Sequence, residues 1–168
     1  MDMPRLPRIL RHLCSTRLRT HMLFPPAVLM QIERACAEAE AGHTGEIRFA
    51  IETALPLAAL WRGLSARARA LQVFAHLRLW DTHHNNGVLI YVLRADRAVE
   101  IVADRGISAG VKSAEWEAIC RDVERQFRAG RFAEGALAAV AAVAQLLGRH
   151  FPAGAASTNE LPNQPVLL

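Results

Sequence analysis

Gly87-Val88-Leu89-Ile90-Tyr91-Val92-Leu93, then Arg94-Ala95-Asp96-Arg97, then Ala98-Val99-Glu100-Ile101-Val102-Ala103, is the stretch whose reading decides the fold. Its first seven residues are apolar without alternation, the pattern of a central strand covered on both faces. The polar quartet at 94–97 is a short turn, so the second apolar run returns as an antiparallel partner. Upstream, Ile47, Phe49 and Ile51 alternate with Glu46, Arg48 and Glu52, which predicts a strand with one buried face. Between these strands Pro56 and Gly63 bracket a connection, and Ser65 can cap a helix reaching about Leu79, with Ala70, Val73, Phe74, Leu77 and Trp80 on or near one side. A strand, helix, strand crossover is right-handed, which makes the first two strands parallel.

Helices flank this unit. Pro25-Pro26 opens one from about Ala27 to Ala41, with Val28, Ile32, Ala35, Cys36 and Ala39 at three- and four-residue spacing and Gly42 to stop it. Another follows Ser113, with Trp116, Ile119, Cys120, Val123 and Phe127 on a face and Gly130 at its end. The last, Ala-rich helix from about Phe132 to Leu147 is apolar on most sides and reads as buried. Its most apolar run, 135–147, is shorter than the ~18 to 20 residues that a bilayer requires, so no transmembrane segment is expected. The elements specify an α/β fold, a small mixed sheet (a parallel βαβ unit plus an antiparallel hairpin) between helical layers. Residues 25–152 form the expected domain, 1–24 a basic N-terminal arm dispensable to the fold, and 153–168 a disordered C-terminal tail.

Composition removes several functions. The formal net charge of +4 resides in residues 1–24, where Arg5, Arg8, Arg11, Arg17 and Arg19 face only Asp2; the remaining chain carries 15 basic and 15 acidic residues. A neutral body has no electrostatic footprint for a phosphate backbone, so nucleic acid is not expected as a partner. The arm, with Leu6, Ile9, Leu10 and Leu13 among its arginines, allows peripheral contact with an anionic membrane. Cys14, Cys36 and Cys120 have no paired spacing, which suits a reducing compartment, and no secretory signal is recognisable; a cytoplasmic location is expected.

The stretches His43-Thr44-Gly45-Glu46-Ile47-Arg48, Trp80-Asp81-Thr82, Asn85-Asn86-Gly87-Val88-Leu89-Ile90-Tyr91, Ile101-Val102-Ala103-Asp104-Arg105-Gly106-Ile107 and Phe127-Arg128-Ala129-Gly130-Arg131-Phe132, followed by Gly135, resemble the short bacterial branch of the TPM-domain family over about residues 25 to 152. The resemblance implies an α/β/α sandwich, a phosphatase activity proposed for the family, and divalent-cation binding at loop carboxylates in some members. The signal peptide and C-terminal membrane segment of many relatives are not recognisable in this sequence.

Candidate chemistry sits at one sheet edge. A turn centred on Ala95-Asp96 sets Gly87 near Asp104, so the loop from Asp81 to Asn86 meets 104–106, and a parallel first strand brings Glu46 to the same edge. Glu46, Asp81, His83, Asn86 and Asp104 are potential ligands there. Carboxylates with amide and backbone oxygens suit Ca2+ or Mg2+, whereas His83 or His84 would shift preference toward zinc. The alternative is ordinary: Asp81 caps a helix end, 85–87 form a turn, and Asp104 pairs with Arg105 or Arg67. Arg67 and Arg69 are either anion contacts near that edge or solvated helix charges. No glycine-rich phosphate loop, dinucleotide fingerprint, nucleophile elbow, zinc-protease pair or cysteine-phosphatase cradle is present. The expected function is therefore an accessory, non-catalytic module binding a divalent cation or a protein partner. The alternative is a metal-dependent phosphatase acting on phosphomonoesters through a metal-bound water.

Overall fold

Strand β1 (Glu46–Glu52) lies parallel to β2 (Gly87–Leu93), with Glu46 beside Gly87 and Glu52 beside Leu93. β2 pairs antiparallel with β3 (Ala98–Ala103) from Val88 opposite Ala103 to Leu93 opposite Ala98. A short 3-10 turn at Arg94–Asp96, ending on Arg97 in the left-handed region at φ 52°, joins the two. A fourth strand, β4 (Val166–Leu167), adds parallel to the outer edge of β1 at Ala50 and Ile51, so the order is β3-β2-β1-β4. This computed structural model describes residues 5–153 and 160–168, without the side chain of Arg5.

The helices are α1 (Arg5–Leu13), α2 (Arg17–Leu23), α3 (Pro26–Glu40), α4 (Leu57–Trp61), α5 (Ala66–His76), α6 (Arg105–Ser108), α7 (Ser113–Arg128) and α8 (Phe132–His150). Four of them, α3, α5, α7 and α8, follow the capping and spacing signals, and α1, α2, α4 and α6 add to them. Ser65 caps α5 by accepting from the Ala68 N–H at 3.1 Å. Its last expected residues instead form a turn in which Arg78 has φ 56°, leaving Leu79 buried but Trp80 exposed.

Each sheet face has its own core. On one, Ile47, Phe49, Ile51, Val88, Ile90 and Ile101 pack beneath α3, α7 and α8. On the other, Ala50, Leu89, Tyr91 and Val102 meet Ala70, Val73 and Phe74 of α5, with Leu55, Leu60 and Ile9. The mixed sheet between helical layers is the α/β/α sandwich expected. Cys36 and Cys120 lie in the first core, where burial pushes both thiols up to about 12. Helix α8 runs 19 residues, long and apolar enough by length and composition to cross a membrane, yet Ala136, Ala139, Val140, Val143, Leu146 and Leu147 are buried inside the domain.

Three features differ from the sequence reading. β1 is buried on both faces, all seven residues of it, rather than on one. Its polar residues are tolerated because they are paired: Glu52 takes a two-pronged bond from Arg69 at 2.8 and 3.0 Å and the Tyr91 hydroxyl at 2.6 Å, while Glu46 accepts from the Leu161 N–H and Arg48 donates to the Pro162 carbonyl. Those last two partners belong to the segment expected as a disordered tail. Residues 154–159 of that tail lie outside the described residues, but 160–168 return along β1, extended by Pro162 and Pro165 and anchored by the Leu168 N–H on Ile51 at 2.9 Å. The N-terminal segment expected as an arm is helical and docked. Ile9 is buried, Arg8 and Arg11 grip Asp96 at 2.7 and 3.2 Å, and Thr20 meets Thr53 at 3.0 Å. His12 is buried too: its Nδ1 accepts from the Leu55 N–H at 2.9 Å and its Nε2 faces Asp96 at 3.1 Å. Burial keeps His12 below its usual value; partial burial opposes ionisation of Asp96, but hydrogen bonds from Arg8 and His12 hold it below the carboxylate range. Residues 1–4 lie outside the described residues.

Candidate functional site

The corner where β1 and β2 begin and β3 ends is built by backbone. Asp104 donates its N–H to the Gly87 carbonyl at 2.8 Å, Glu46 donates to the Asn86 carbonyl at 3.0 Å, and Gly106 donates to the Asn85 carbonyl at 3.0 Å. Two glycines permit this closeness. A Cβ on Gly87 would collide with the Leu79 carbonyl, and one on Gly106 would stand 2.5 Å from the carbonyl oxygens of His84 and Asn85. Asn85, at φ 51°, makes the reversal before β2 and accepts from Arg105 Nε at 3.0 Å.

Asn86 is buried; its N–H binds the Thr82 hydroxyl at 3.1 Å, its Nδ2 donates to the Thr44 carbonyl, and its Oδ1 has no partner. Asp104 caps α6 with one carboxylate oxygen on the Arg105 N–H at 2.7 Å, while its Oδ2 is buried without a partner. Asn86 also lines a hollow of about 240 Å3 with Thr44, His84, Gly106, Ile107 and Phe151. The 81–86 loop therefore meets 104–106 through the backbone, at Asn85–Gly106 and Gly87–Asp104, and of the expected ligands Asn86 lines the hollow while Asp104 does not. Asn86 has the ordinary turn role, whereas Asp104 caps α6 through the Arg105 N–H rather than pairing with the Arg105 or Arg67 side chain, and each still leaves one oxygen over.

The other candidates are placed differently. Asp81 is exposed at the turn before β2, its N–H on the Arg78 carbonyl at 2.9 Å. His83 and His84 are exposed, their rings edge to face at 4.7 Å, and the His83 N–H donates to Glu160 at 3.1 Å. Glu46 is turned to the returning C-terminal segment, and burial raises its pKa. Among the described residues no three His, Cys, Asp or Glu side chains stand together as a ready metal cluster. Arg67 is an exposed helix charge that also donates to the Ile101 carbonyl at 2.5 Å, whereas Arg69 is half-buried and holds Glu52. Two further buried groups with an unpartnered atom, Glu40 Oε2 and His43 Nε2, were not singled out from sequence, where a lone Glu at a helix end and a lone His carry no pattern.

These features define a small α/β/α domain with a polar corner at the strand ends. The TPM domain family model matches residues 20–146, and the chain belongs to that family. The solution structure of the BA42 protein from the psychrophilic bacterium Bizionia argentinensis is similar to it, with a TM-score of 0.74 and 29% identity over 84% of this chain and 93% of that one. The N-terminal domain of a protein from P. gingivalis shares the fold, with a TM-score of 0.62 and 21% identity over 77% of this chain and 79% of that one. No curated protein matches the chain.

Proposed function

We propose that this TPM domain is an accessory, non-catalytic module that takes one divalent cation, Ca2+ or Mg2+, at the corner of Asn86 and Asp104. The observation that carries the reading is the pair of buried oxygens, Asn86 Oδ1 and Asp104 Oδ2, left without a hydrogen to accept. An unsatisfied buried oxygen costs about 1–3 kcal/mol, and a hard cation relieves that cost. The donor set fits such an ion: a carboxylate, a carboxamide and nearby carbonyls, with no thiolate. Asp81, exposed in the adjoining loop, is the further carboxylate available to it. Glu46 is not needed, since its carboxylate already serves the Leu161 N–H. A cation there would tie the 81–86 loop to the start of α6, and so rigidify a surface for a protein partner.

The test is a thermal-stability titration of the metal-stripped protein with Ca2+, Mg2+, Mn2+ and Zn2+, in the parent and in Asp104→Asn, Asn86→Ala and Asp81→Asn. A cation that binds only the native state raises stability by mass action. The expected outcome is a Ca2+ or Mg2+ response in the parent that Asp104→Asn removes, while Asp104→Asn without metal is no less stable than the parent. An equal response in all four proteins overturns the site. A metal-water phosphatase would use the same corner, and turnover of a phosphomonoester that appears only with added metal would replace the non-catalytic reading.

A further inference from the structure

At the opposite end of the sheet, beyond the β2–β3 turn, the end of α1, the start of α2 and the α7–α8 junction surround a cavity of about 550 Å3. Arg11, Arg19, Arg94, Arg97 and Arg128 line it with Ser15, and among the described residues no carboxylate belongs to its lining. Leu23, Phe127 and Phe132 form its apolar side, the two rings stacked at 5.2 Å.

Two of these arginines are engaged: Arg11 reaches Asp96 at 3.2 Å and Arg128 reaches Glu124 at 2.9 Å. The side chains of Arg19, Arg94 and Arg97 make no hydrogen bond or ion pair among the described residues. Arg94 is the informative one. Its Nε is buried with no acceptor, and burial, then the charges of Arg19 and Arg97, pushes its guanidinium below the usual arginine range. Arg94 is half-buried beside two exposed like charges, Arg19 and Arg97, which is costly, and an anion removes that cost. Guanidinium forks match phosphate oxygens in geometry as well as charge. The N-terminus of the 19-residue α8 opens at the same place: Gly130 and Phe132 line the cavity, and its N-cap, Arg131, offers no side-chain cap. Its free N–H groups and dipole add to the preference for an anion.

We propose that this cavity is a binding site for a phosphate ester with an apolar body, the phosphate held by Arg19, Arg94 and Arg97 and the body lying against Phe132 and Leu23. Its volume lies in the range of small-ligand pockets, roughly 300–1,000 Å3, and a bare phosphate would leave most of it unfilled. A soluble ester and a phospholipid headgroup present the same chemistry. Leu10, Leu13, Leu18 and Met22 of α1 and α2 are exposed, so both sources enter the test.

Binding is measured by calorimetry on the full chain, in excess chelator and at fixed ionic strength, with inorganic phosphate, 1-naphthyl phosphate, and phosphatidylcholine vesicles with and without phosphatidic acid. The chelator silences the cation corner, so the two sites fail separately. The variant is Arg19→Gln with Arg97→Asn; asparagine tolerates the left-handed backbone at 97, so the turn is kept. Arg34→Gln, on α3 with its partner Glu38, is the control. The expected result is that 1-naphthyl phosphate binds more tightly than inorganic phosphate, that the double variant loses at least about tenfold in affinity, and that the control binds as the parent does. Binding of phosphatidic-acid vesicles, lost in the same variant, assigns the headgroup as the source; binding of the soluble ester alone assigns a metabolite. No binding to either, equal binding by the double variant, or vesicle binding indifferent to phosphatidic acid overturns the proposal.

Discussion

Glu40 ends α3 with one carboxylate oxygen on the Ile47 N–H at 2.9 Å and the other buried without a partner. Burial is the largest influence on it, opposed by the Ile47 bond, and its pKa rises to about 7 from 4.5. Between those values the native state binds the proton that the unfolded chain releases. The stability contributed by Glu40 is therefore full below about pH 4.5 and lost as pH rises through about 7. Glu40→Gln keeps an acceptor for Ile47 and carries no charge. It should be more stable than the parent at pH 8, by up to about 3 kcal/mol, with the difference shrinking toward pH 4.5. Urea denaturation of both proteins across that window checks this, and a pH-independent difference would contradict it. Single residues of this kind are poorly legible in sequence. Asn86 and Asp104 were legible because a short turn sets the hairpin register, and Val88 opposite Ala103 is the register it implies. Glu40 was not, because its partner is the outward-facing N–H of a strand seven residues on.

At the scale of elements, β1 depends on the returning C-terminal segment. β4 supplies only two paired residues, but the same segment caps Glu46 through Leu161, receives Arg48 on the Pro162 carbonyl, and bonds Asn163 to Glu40. Ending the chain before residue 160 would leave two buried charges without their partners and open the edge of β1. The truncated protein should lose about 2–4 kcal/mol of stability and associate with increasing concentration, as denaturation and light scattering would report. A monomer of unchanged stability would show that the segment adds nothing. The period-two pattern of β1 was read correctly as a strand and incompletely as to burial. Alternation marks which residues are polar, whereas the pairing of Glu46 and Arg48 depends on a segment more than a hundred residues away in sequence and that of Glu52 on Arg69 and Tyr91.

For the whole molecule, α1 and α2 close one end of the domain. Removing residues 1–23 would take away Ile9, the ligands of Asp96 and the His12 acceptor for the Leu55 N–H. Stability should fall by several kcal/mol, with unfolding broadened or no longer cooperative in calorimetry. Cooperative unfolding at the parent temperature would instead return this segment to the role of a detached arm. The lowered pKa of His12 adds a pH signature: its contribution is present above about 6.5 and is lost as pH falls through its lower folded value.

The sequence by itself determined β1, β2 and β3, their parallel and antiparallel pairing, the two-layer helical cover and the family, because periodicity, caps and short turns are local and read directly from residue order. It also placed Gly87 across from Asp104, through the hairpin. The tertiary structure alone decided that the N-terminal helices and the last residues belong to the fold, that the polar face of β1 is buried, and that arginines from α1, α2, the β2–β3 turn and α7 share one cavity. Along the chain the net charge resides in the first 24 residues and the remainder is neutral. In space, Asp96 draws Arg8 and Arg11 to the turn that carries Arg94 and Arg97. Long-range contacts of this kind close loops of tens of residues and leave no periodic trace, so only the folded chain brings those charges together.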